Sequence, residues 1–527
     1  MRIDQIEDLE LAKDVARLLE LEITRLVDKV AELTKEVAAL RGDTGSKQLE
    51  LELMKLREQG ALLRQRLFGR SSEKRPGPQD PEDQGKAKQP GHGPRPQREL
   101  PVVPQPHAFE GNVACKVCSG TVEEWKGQFE EADEITIVAR RFVMIRHQRQ
   151  KARCRCYATV VTAPGPLRLI PGGRYSIEFA VDVAVAKYLD HIPLNRQVGM
   201  MQREGLEMDS QTLWDQIQAL AVHLEPTYSA LRDYIVAKPL LHADETPWYL
   251  LDEKPAKKWY VWCVAVADAA YYWIRNSRGA DAGREVLSDY RGIVVDDGCK
   301  AYGALAKENK NLTLSFCWSH VRRKHFEAER FYPEECKVVL DLIRDLYAVE
   351  RELPNPERLE GAPLAEALRL RGNLRTERSR RIVDDIHEWA LAQSALPESA
   401  LRNAIDYMLG LWPGLIRFLD DPRIPLDNNR VERQLRGPVV GRKNHYGSRS
   451  ERGTEVSALF YSVLETAKLV GIEPKAYLAH AARIAIRQPG TSVFPHELIQ
   501  CSTAAAPQAT DPTPPPPAAG PANRASA

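Results

Sequence analysis

Residues 240–329 alternate short apolar segments with amphipathic ones in an order that few folds accommodate. "LLHAD" is typical of a strand, "KWYVWCVAVAD" and "AYYWIR" of a hairpin, and "GADAGREVLSDY" of a helix. "GIVVDDG" and "LTLSFCW" are further apolar strands, and a helical segment follows each of them. Three strands, a helix and then alternating strands and helices predict a mixed α/β sheet. A long helical stretch, about 334–420, comes next.

Two aspartates stand where these apolar strands end. Asp244 follows "LLHA" and Asp297 closes "IVVDD". The carboxyl ends of neighbouring strands in an open sheet converge on one crevice, so these side chains are expected to meet. A third acid, Glu432, lies in "NNRVERQLR", where Asn428 or Asn429 would cap a helix that carries it inward.

Converging carboxylates predict a metal site, because three of them cannot all remain ionised without a cation. Oxygen ligands select Mg²⁺ or Mn²⁺, and a pair of such ions clamps the attacking and leaving oxygens of a phosphodiester. The expected chemistry is phosphoryl transfer without a covalent enzyme intermediate. Zinc hydrolysis through His242, Asp244 and His320 is a rival, although the sequence has no "HExxH"-like pair on one helix.

Lysine and arginine (74) balance aspartate and glutamate (73), so only the distribution of charge is informative. "RRFVMIRHQRQKARCR" contains no acid, which fits a strand that contacts phosphates or a solvated edge strand. Basic residues also crowd positions 429–452, and "HVRRKHFEAE" offers either phosphate contacts or a solvated helix face. His320, just before it, would order the site, contact DNA or simply start a helix. The expected DNA-binding residues are Arg149, Lys151, Arg322, Arg323, Arg433, Arg436, Arg442 and Lys443.

Four cysteines cluster in "CKVC" and "CRC", with the second pair one residue tighter than usual. Tetrahedral thiolate ligation predicts a structural zinc ion, and four free thiols are the alternative. The expected ligands are Cys115, Cys118, Cys154 and Cys156.

The N-terminal segment has a heptad pattern. Leucines recur at 19, 26, 33 and 40, and β-branched residues at 23, 30 and 37. This pattern favours a parallel two-stranded coiled coil, and hence a homo-oligomer, with a local helical hairpin as the alternative. Residues 71–106 are rich in Pro, Gly, Lys and Gln, which is typical of a flexible linker.

Residues 193–220 have the rhythm of a helix-turn-helix, in which Gly205 would stop one helix and Ser210 would cap the next. Two packed helices without DNA contact are the alternative. No apolar run approaches the ~18 residues of a membrane span. The acidic start lacks the apolar core of a signal peptide. A cytoplasmic protein is therefore expected.

From about residue 108 to 480 the chain resembles transposases of the insertion-sequence-66 family. "HADETPW", "DDGCKAY", "CWSHVRRKHFEA", "DNNRVERQLRGPVVGRKNHYGS" and "LFYSVLETAKLVGIEPKAYL" occur in the order found in that family. The resemblance implies a ribonuclease-H-like catalytic core with a helical insertion. It also implies that Asp244, Asp297 and Glu432 are the catalytic Asp-Asp-Glu triad. Asp297 matches rather than Asp296, because the family's acid precedes glycine.

The expected protein is a multidomain α+β DNA transposase. It would bind double-stranded element ends and target DNA in a bacterial cytoplasm near the nucleoid, with Mg²⁺ or Mn²⁺ for catalysis and structural Zn²⁺. Accessory proteins of the same element are possible partners. A ribonuclease-H-fold nuclease and a catalytically silent DNA-binding derivative are the alternatives. The expected regions are a coiled coil (1–70), linker (71–106), zinc module (107–168), helical DNA-binding region (169–236), catalytic core (237–485) and largely disordered tail (486–527).

The heptad pattern leads to a first prediction. Leu26→Glu combined with Leu33→Glu should abolish self-association, because each buried leucine at such a seam contributes about 1.5–3 kcal/mol. Light scattering should show the double variant as a monomer and the parent as a dimer or larger. A monomeric parent would instead indicate an intramolecular hairpin.

Overall fold

A five-stranded mixed sheet forms the centre of the structure, a computed structural model that describes residues 142–153, 160–252, 257–353, 356, 359 and 361–502. The strand order is β5-β4-β3-β6-β7. β4 is antiparallel to both of its neighbours, β3 and β5, and β6 and β7 continue the sheet parallel to β3. The described strands are β1 (Lys151–Arg153), β2 (Val160–Thr162), β3 (Leu240–Leu250), β4 (Lys257–Ala265), β5 (Ala270–Arg275), β6 (Gly292–Asp296) and β7 (Leu312–Phe316).

Helices flank this sheet. They are α1 (Ile177–Tyr188), α2 (Leu194–Arg203), α3 (Ser210–Val236), α4 (Ala280–Leu287), α5 (Lys300–Glu308), α6 (Trp318–Ala328), α7 (Pro333–Arg351), α8 (Gly361–Leu374), α9 (Arg380–Ala392), α10 (Ala400–Leu415), α11 (Asn429–His445), α12 (Glu451–Leu469), α13 (Pro474–Arg487) and α14 (Pro495–Ser502). A π-helical turn (Arg375–Ser379) joins α8 to α9, and a 3₁₀ turn (Arg417–Leu419) follows α10. The predicted α+β class and the alternation of strands and helices over 240–329 are confirmed.

β3 does not end at its acidic residues, which corrects the expectation from "LLHAD". The strand runs through them to Leu250, because β4 pairs with it from His242, opposite Ala265, to Leu250, opposite Lys257. On its other edge β3 pairs with β6 only as far as His242. Asp244 therefore lies just beyond the point where β3 and β6 separate.

The helices before the sheet pack on it. α2 ends at Arg203, with Gly205 in the left-handed region at φ +85°, as the sequence predicts. The cap of α3 is Asp209, not Ser210, and its carboxylate accepts from the N–H of Thr212. Buried residues of α1 and α3 belong to the same hydrophobic cluster as strands β3 to β5 and helix α12. The expected domain boundary near residue 236 therefore does not separate two hydrophobic cores.

The helical stretch that begins at Pro333 has a hydrophobic core of its own, formed with Val295 and α6. A buried arginine locks it. The guanidinium of Arg375 donates to the Glu350 carboxylate at 2.7 Å and to the carbonyls of Phe418, Asp421 and Ile424. These bonds tie α7, the π-helical turn and the end of the insertion together.

The C-terminal region is more ordered than expected up to Ser502. α13 continues to Arg487 and α14 follows, although residues from 486 onward were predicted to be largely disordered. Val493 is the reason, because its side chain is buried and its N–H and carbonyl bond to Thr227 and Tyr477. An apolar residue held at both backbone groups fixes the segment that leads into α14.

The expected coiled coil, the linker and all four cysteines of the predicted zinc site lie outside the described residues. None of the described helices has the length and apolar character needed to cross a bilayer.

The buried arginine leads to a second prediction. Arg375→Ala should lower the free energy of unfolding by about 3 kcal/mol or more, because each buried carbonyl that loses its donor costs about 1–3 kcal/mol. The carbonyls concerned are those of Phe418, Asp421 and Ile424, whereas Glu350 keeps its ion pair with Arg371. Denaturant unfolding would measure this. Arg380→Ala is the matched control, since its ion pair with Asp420 is exposed and worth about 0.2–1 kcal/mol. Equal losses in the two variants would contradict the assigned role of Arg375.

Candidate active site

The register of the sheet brings two acids together. β6 runs parallel to β3, with Leu241 opposite Val294 and His242 opposite Val295. Continued by two residues, this register sets Asp244 beside Asp297, and side chains at equivalent positions face the same side of a sheet. Asp296 falls opposite Ala243 on the other side.

Asp296 is fully buried, unlike its neighbour Asp297. Its Oδ1 accepts from the N–H of Gly298 at 2.6 Å, and its Oδ2 has no hydrogen bond among the described residues. Burial raises the pKa of this carboxyl well above its ordinary value and so favours the protonated form of Asp296. Of the two consecutive acids, Asp297 is the one that shares a face with Asp244.

Asn428 brings Glu432 to this face. Asn428 is fully buried at the N-cap position of α11, but its side chain does not cap the helix as the sequence suggested. Its Nδ2 donates to the Ala243 carbonyl at 2.8 Å, and its Oδ1 lies 2.9 Å from His242 Nδ1. The start of α11 is therefore bonded to β3 next to Asp244, and Glu432 lies in the first turn of that helix.

The three acids influence one another electrostatically. Burial, together with the charges of Asp297, Glu245 and Glu432, raises the pKa of Asp244 to about 8. Without a cation, Asp244 therefore holds a proton at neutral pH. The arrangement favours the binding of positive charge, which would let all the carboxylates ionise.

The other two polar residues of "HADE" have structural partners. His242 is buried against Asn428, as described above. Glu245 points to the opposite side of the sheet, where its carboxylate pairs with Arg278 at 2.7 Å and accepts from the Tyr302 hydroxyl at 3.3 Å. The hydrogen bond to Asn428 therefore argues against the alternative mechanism, in which His242, Asp244 and His320 would bind a catalytic zinc ion.

His320 lies in the first turn of α6, with its Nδ1 3.8 Å from Glu432 Oε1. Neither atom forms a hydrogen bond within the described residues. Cys317 completes a group whose potential ligand atoms lie within 4.8 Å of one another. The Cys317 thiol is a poor metal ligand here, because burial raises its pKa to about 12 and its sulfur accepts from the Asn428 N–H. His320 and Glu432 remain as a polar pair within this group.

The basic residues of 429–452 divide into two groups. Arg430 and Arg442 point inward, to the carbonyls of Val266 and Pro247, and Arg452 pairs with Glu225 and Glu455. Inward hydrogen bonding removes Arg442 from the expected DNA-binding set. Exposed cations without an ion pair in the described part of the chain are Arg433, Arg436, Lys443 and Arg449.

The remaining expected DNA-binding residues lie elsewhere on the surface. Arg149 donates to the Ala163 carbonyl, and Lys151 is exposed on β1. On α6, Arg323 pairs with Glu327 at 3.5 Å, whereas Arg322 lies over the Phe326 ring. These contacts leave Arg149, Lys151, Arg322 and Arg323 at the surface. Within the described residues, Arg149 and Lys151 do not contact the carboxylates.

Sequence reasoning missed the residues that support the acids. The Tyr407 hydroxyl, from α10 of the insertion, donates to the Asp297 carbonyl at 2.6 Å. Leu411, one turn later, packs on Gly298, whose φ of +87° lets the chain turn sharply after the acid. The one signal that could have identified supporting residues is that Asn428 and His242 are polar side chains in buried positions, because buried polar groups require hydrogen-bond partners.

Comparison with known proteins places the chain in a family. The family described as "Transposase IS66 family" matches residues 172–456, more than half of the chain. The uncharacterized protein y4jD of Sinorhizobium fredii is 32% identical over 393 residues, which cover 69% of this chain and 73% of that protein. The uncharacterized protein y4hP of the same organism is 28% identical over 405 residues, covering 72% and 71%. This chain belongs to the insertion-sequence-66 family of transposases.

Proposed function

We propose that this transposase cuts DNA at element ends and joins them to target DNA, with Asp244, Asp297 and Glu432 as its metal-binding carboxylates. The observation that carries the proposal is the geometry of the three acids: the β3–β6 register aligns Asp244 with Asp297, and Asn428 bonds the start of the Glu432 helix to the Ala243 carbonyl. A site that concentrates negative charge in this way is suited to a divalent cation. The strand order also agrees with the ribonuclease-H-like core that the family resemblance implies.

The donor set fits Mg²⁺ or Mn²⁺, because it consists of carboxylate oxygens. A bound divalent cation would lower the pKa of the attacking water and neutralise charge on the phosphate. The protein's contribution is to hold the carboxylates still. β3 holds Asp244, the turn braced by Tyr407 holds Asp297, and the Asn428 bonds hold the helix of Glu432.

The proposed reaction has two steps. Water attacks phosphorus at the element end, the bond from phosphorus to the 3′ oxygen breaks, and that oxygen takes a proton. The freed 3′ hydroxyl then attacks a phosphorus of target DNA and displaces the target's 3′ oxygen. His320, 3.8 Å from Glu432, is placed to orient that carboxylate. No residue becomes covalently attached to DNA.

DNA would lie along the exposed face of α11. Arg433, Arg436 and Lys443 project from this face without ion pairs in the described ranges, so they are available for phosphates. The face begins beside Glu432, which connects the phosphate contacts to the carboxylates. We assign Arg149, Lys151, Arg322 and Arg323 to secondary DNA contacts.

The segments outside the described residues complete the proposal. The heptads would pair two chains, one for each element end, and the cysteines at 115, 118, 154 and 156 would hold a structural zinc ion. A plain nuclease would cut ends without joining them, and a silent derivative would bind without cutting. Strand transfer on labelled element ends, with and without Mg²⁺, separates the three.

The triad generates a third prediction. Asp244→Asn, Asp297→Asn and Glu432→Gln should each reduce cleavage and joining by about 100-fold or more, with end binding nearly intact. The reason is that each substitution removes stabilisation of the transition state and leaves the phosphate contacts in place. A gel assay of cleavage beside a binding assay measures both.

The neighbouring acid supplies the control. Asp296→Asn should retain cleavage, because Asp296 faces away from Asp244 and its burial already favours a neutral side chain. If Asp296→Asn abolished cleavage and Asp297→Asn did not, the assignment of the second acid would be wrong.

The pKa of Asp244 generates a fourth prediction, for the metal-free protein. Between the unfolded value of about 3.9 and the folded value of about 8, the folded chain binds a proton that the unfolded chain does not. Stability should therefore fall as pH rises through this range, by up to roughly 1.4 kcal/mol per pH unit from this group. Asp244→Asn removes the effect, so the variant should gain on the parent as pH rises and level off above pH 8.

Thermal melts across this range test the sign. Mg²⁺ should raise the melting temperature of the parent at pH 8 and have a smaller effect on Asp244→Asn. A constant difference between parent and variant at all pH values would show that Asp244 does not titrate in this window.

A further inference from the structure

An exposed tyrosine occupies a strained position at the end of α11. Tyr446 follows the last residue of the helix with φ +65°, in the left-handed region, and 71% of it is exposed. Glycine or asparagine usually occupies such a helix end, because a side chain with a Cβ is disfavoured there. The Tyr446 ring makes no ring contact and its hydroxyl no hydrogen bond with any described residue. Neither the fold nor the core accounts for a tyrosine at this position.

The next residue explains why the backbone turns here, but not why the side chain is aromatic. Gly447 lies so close to the Tyr249 carbonyl that a Cβ would stand 2.1 Å from that oxygen. Ser448 then donates its N–H to the same carbonyl and closes the junction with β3. The junction holds the Tyr446 ring outward at a defined place beyond the helix.

The surface that leads to Tyr446 is basic. Exposed positions on α11 recur at intervals of three and four residues, so they form one face of the helix. They are Arg433, Arg436, Val440 and Lys443. Arg449 continues the exposed cations beyond Tyr446. Glu432 begins this face, since Arg436 lies one turn after it on the same side.

We propose that the ring of Tyr446 stacks on a DNA base. The proposed DNA contact along α11 would then begin at the carboxylates and end at Tyr446. This inference rests on the proposed function and adds a specific contact to it. Single aromatic rings among cations form the stacking platforms of proteins that hold unpaired or distorted nucleic acid. An apolar protein partner would instead require neighbouring apolar surface, and the flanking exposed residues here are mostly charged.

The geometry of α11 gives the distance between the carboxylates and the Tyr446 ring. Glu432 and Tyr446 are fourteen positions apart, which corresponds to about 21 Å at 1.5 Å per residue. DNA that follows this face advances 3.4 Å per base pair, so the stacked base lies about six base pairs from the phosphate at the carboxylates. The proposal therefore predicts a local distortion of the element end at that distance from the cut.

Tyr446→Gly tests the contact, because glycine suits the backbone while it removes the ring. Binding of a labelled element-end duplex should weaken about tenfold, and the melting temperature of the protein should not fall. 2-Aminopurine placed about six base pairs from the cut should change fluorescence with the parent and with Tyr446→Phe, but not with Tyr446→Gly. Asp297→Asn, used as a background, keeps the duplex uncut during the measurement.

Glu398→Gly is the matched control. Glu398 is also exposed at a positive φ, +64°, but it precedes α10 in the insertion and lies outside the basic face. The Glu398→Gly substitution relieves the same kind of backbone strain and should leave DNA affinity and fluorescence unchanged.

The outcomes separate this inference from the proposed function. If the parent neither binds nor cuts element ends in Mg²⁺, the proposed function fails and the stacking contact fails with it. If the parent cuts and Tyr446→Gly retains both affinity and the fluorescence change, only the stacking contact is refuted.

Discussion

The structure depends on one buried amide. Asn428 bonds through its side chain to His242 and to the Ala243 carbonyl, and its N–H meets the Cys317 sulfur. Three parts of the chain that are far apart in sequence, β3, the start of α6 and the start of α11, are thus joined at one residue. A buried polar side chain is costly unless its hydrogen bonds are made, so it enforces this particular junction. Glu432 reaches the sheet because of it.

The Asn428 hydrogen bonds hold together carboxylates that repel one another. Burial and the acids around Asp244 raise its pKa, which means that the folded chain resists the ionisation of Asp244. Sites that are arranged for chemistry are commonly less stable than the same fold would otherwise be. The rigid elements around the site, β3 on one side and the insertion that carries Tyr407 on the other, hold the acids against that repulsion. A region far from the acids, the Arg375 lock, supports them indirectly by holding the insertion together.

Local patterns predicted most of the sheet and the helices that follow it, because apolar segments bounded by turns are short-range signals. They misplaced the end of β3, since whether a strand continues depends on its partner β4. They misassigned the α3 cap by one residue, because Asp209 and Ser210 are both capping residues and only the geometry separates them. The acids were nominated from strand ends and family resemblance. Their supporting residues, Asn428 and Tyr407, could not be found in this way, because their partners are about 185 and 110 positions away.

The helical insertion also separates the synthesis of the two aspartates from that of Glu432 in time. Asp297 and Glu432 are separated by about 135 residues, and most of these form the insertion with its own core. At about 5–20 residues per second of synthesis, a growing chain carries the two aspartates for about 7–27 s before the ribosome adds the glutamate. Under the proposed mechanism, a partly made chain beside its own gene has no complete set of carboxylates. Under that mechanism, the length of the insertion would set the delay between synthesis of the two aspartates and completion of the carboxylate set.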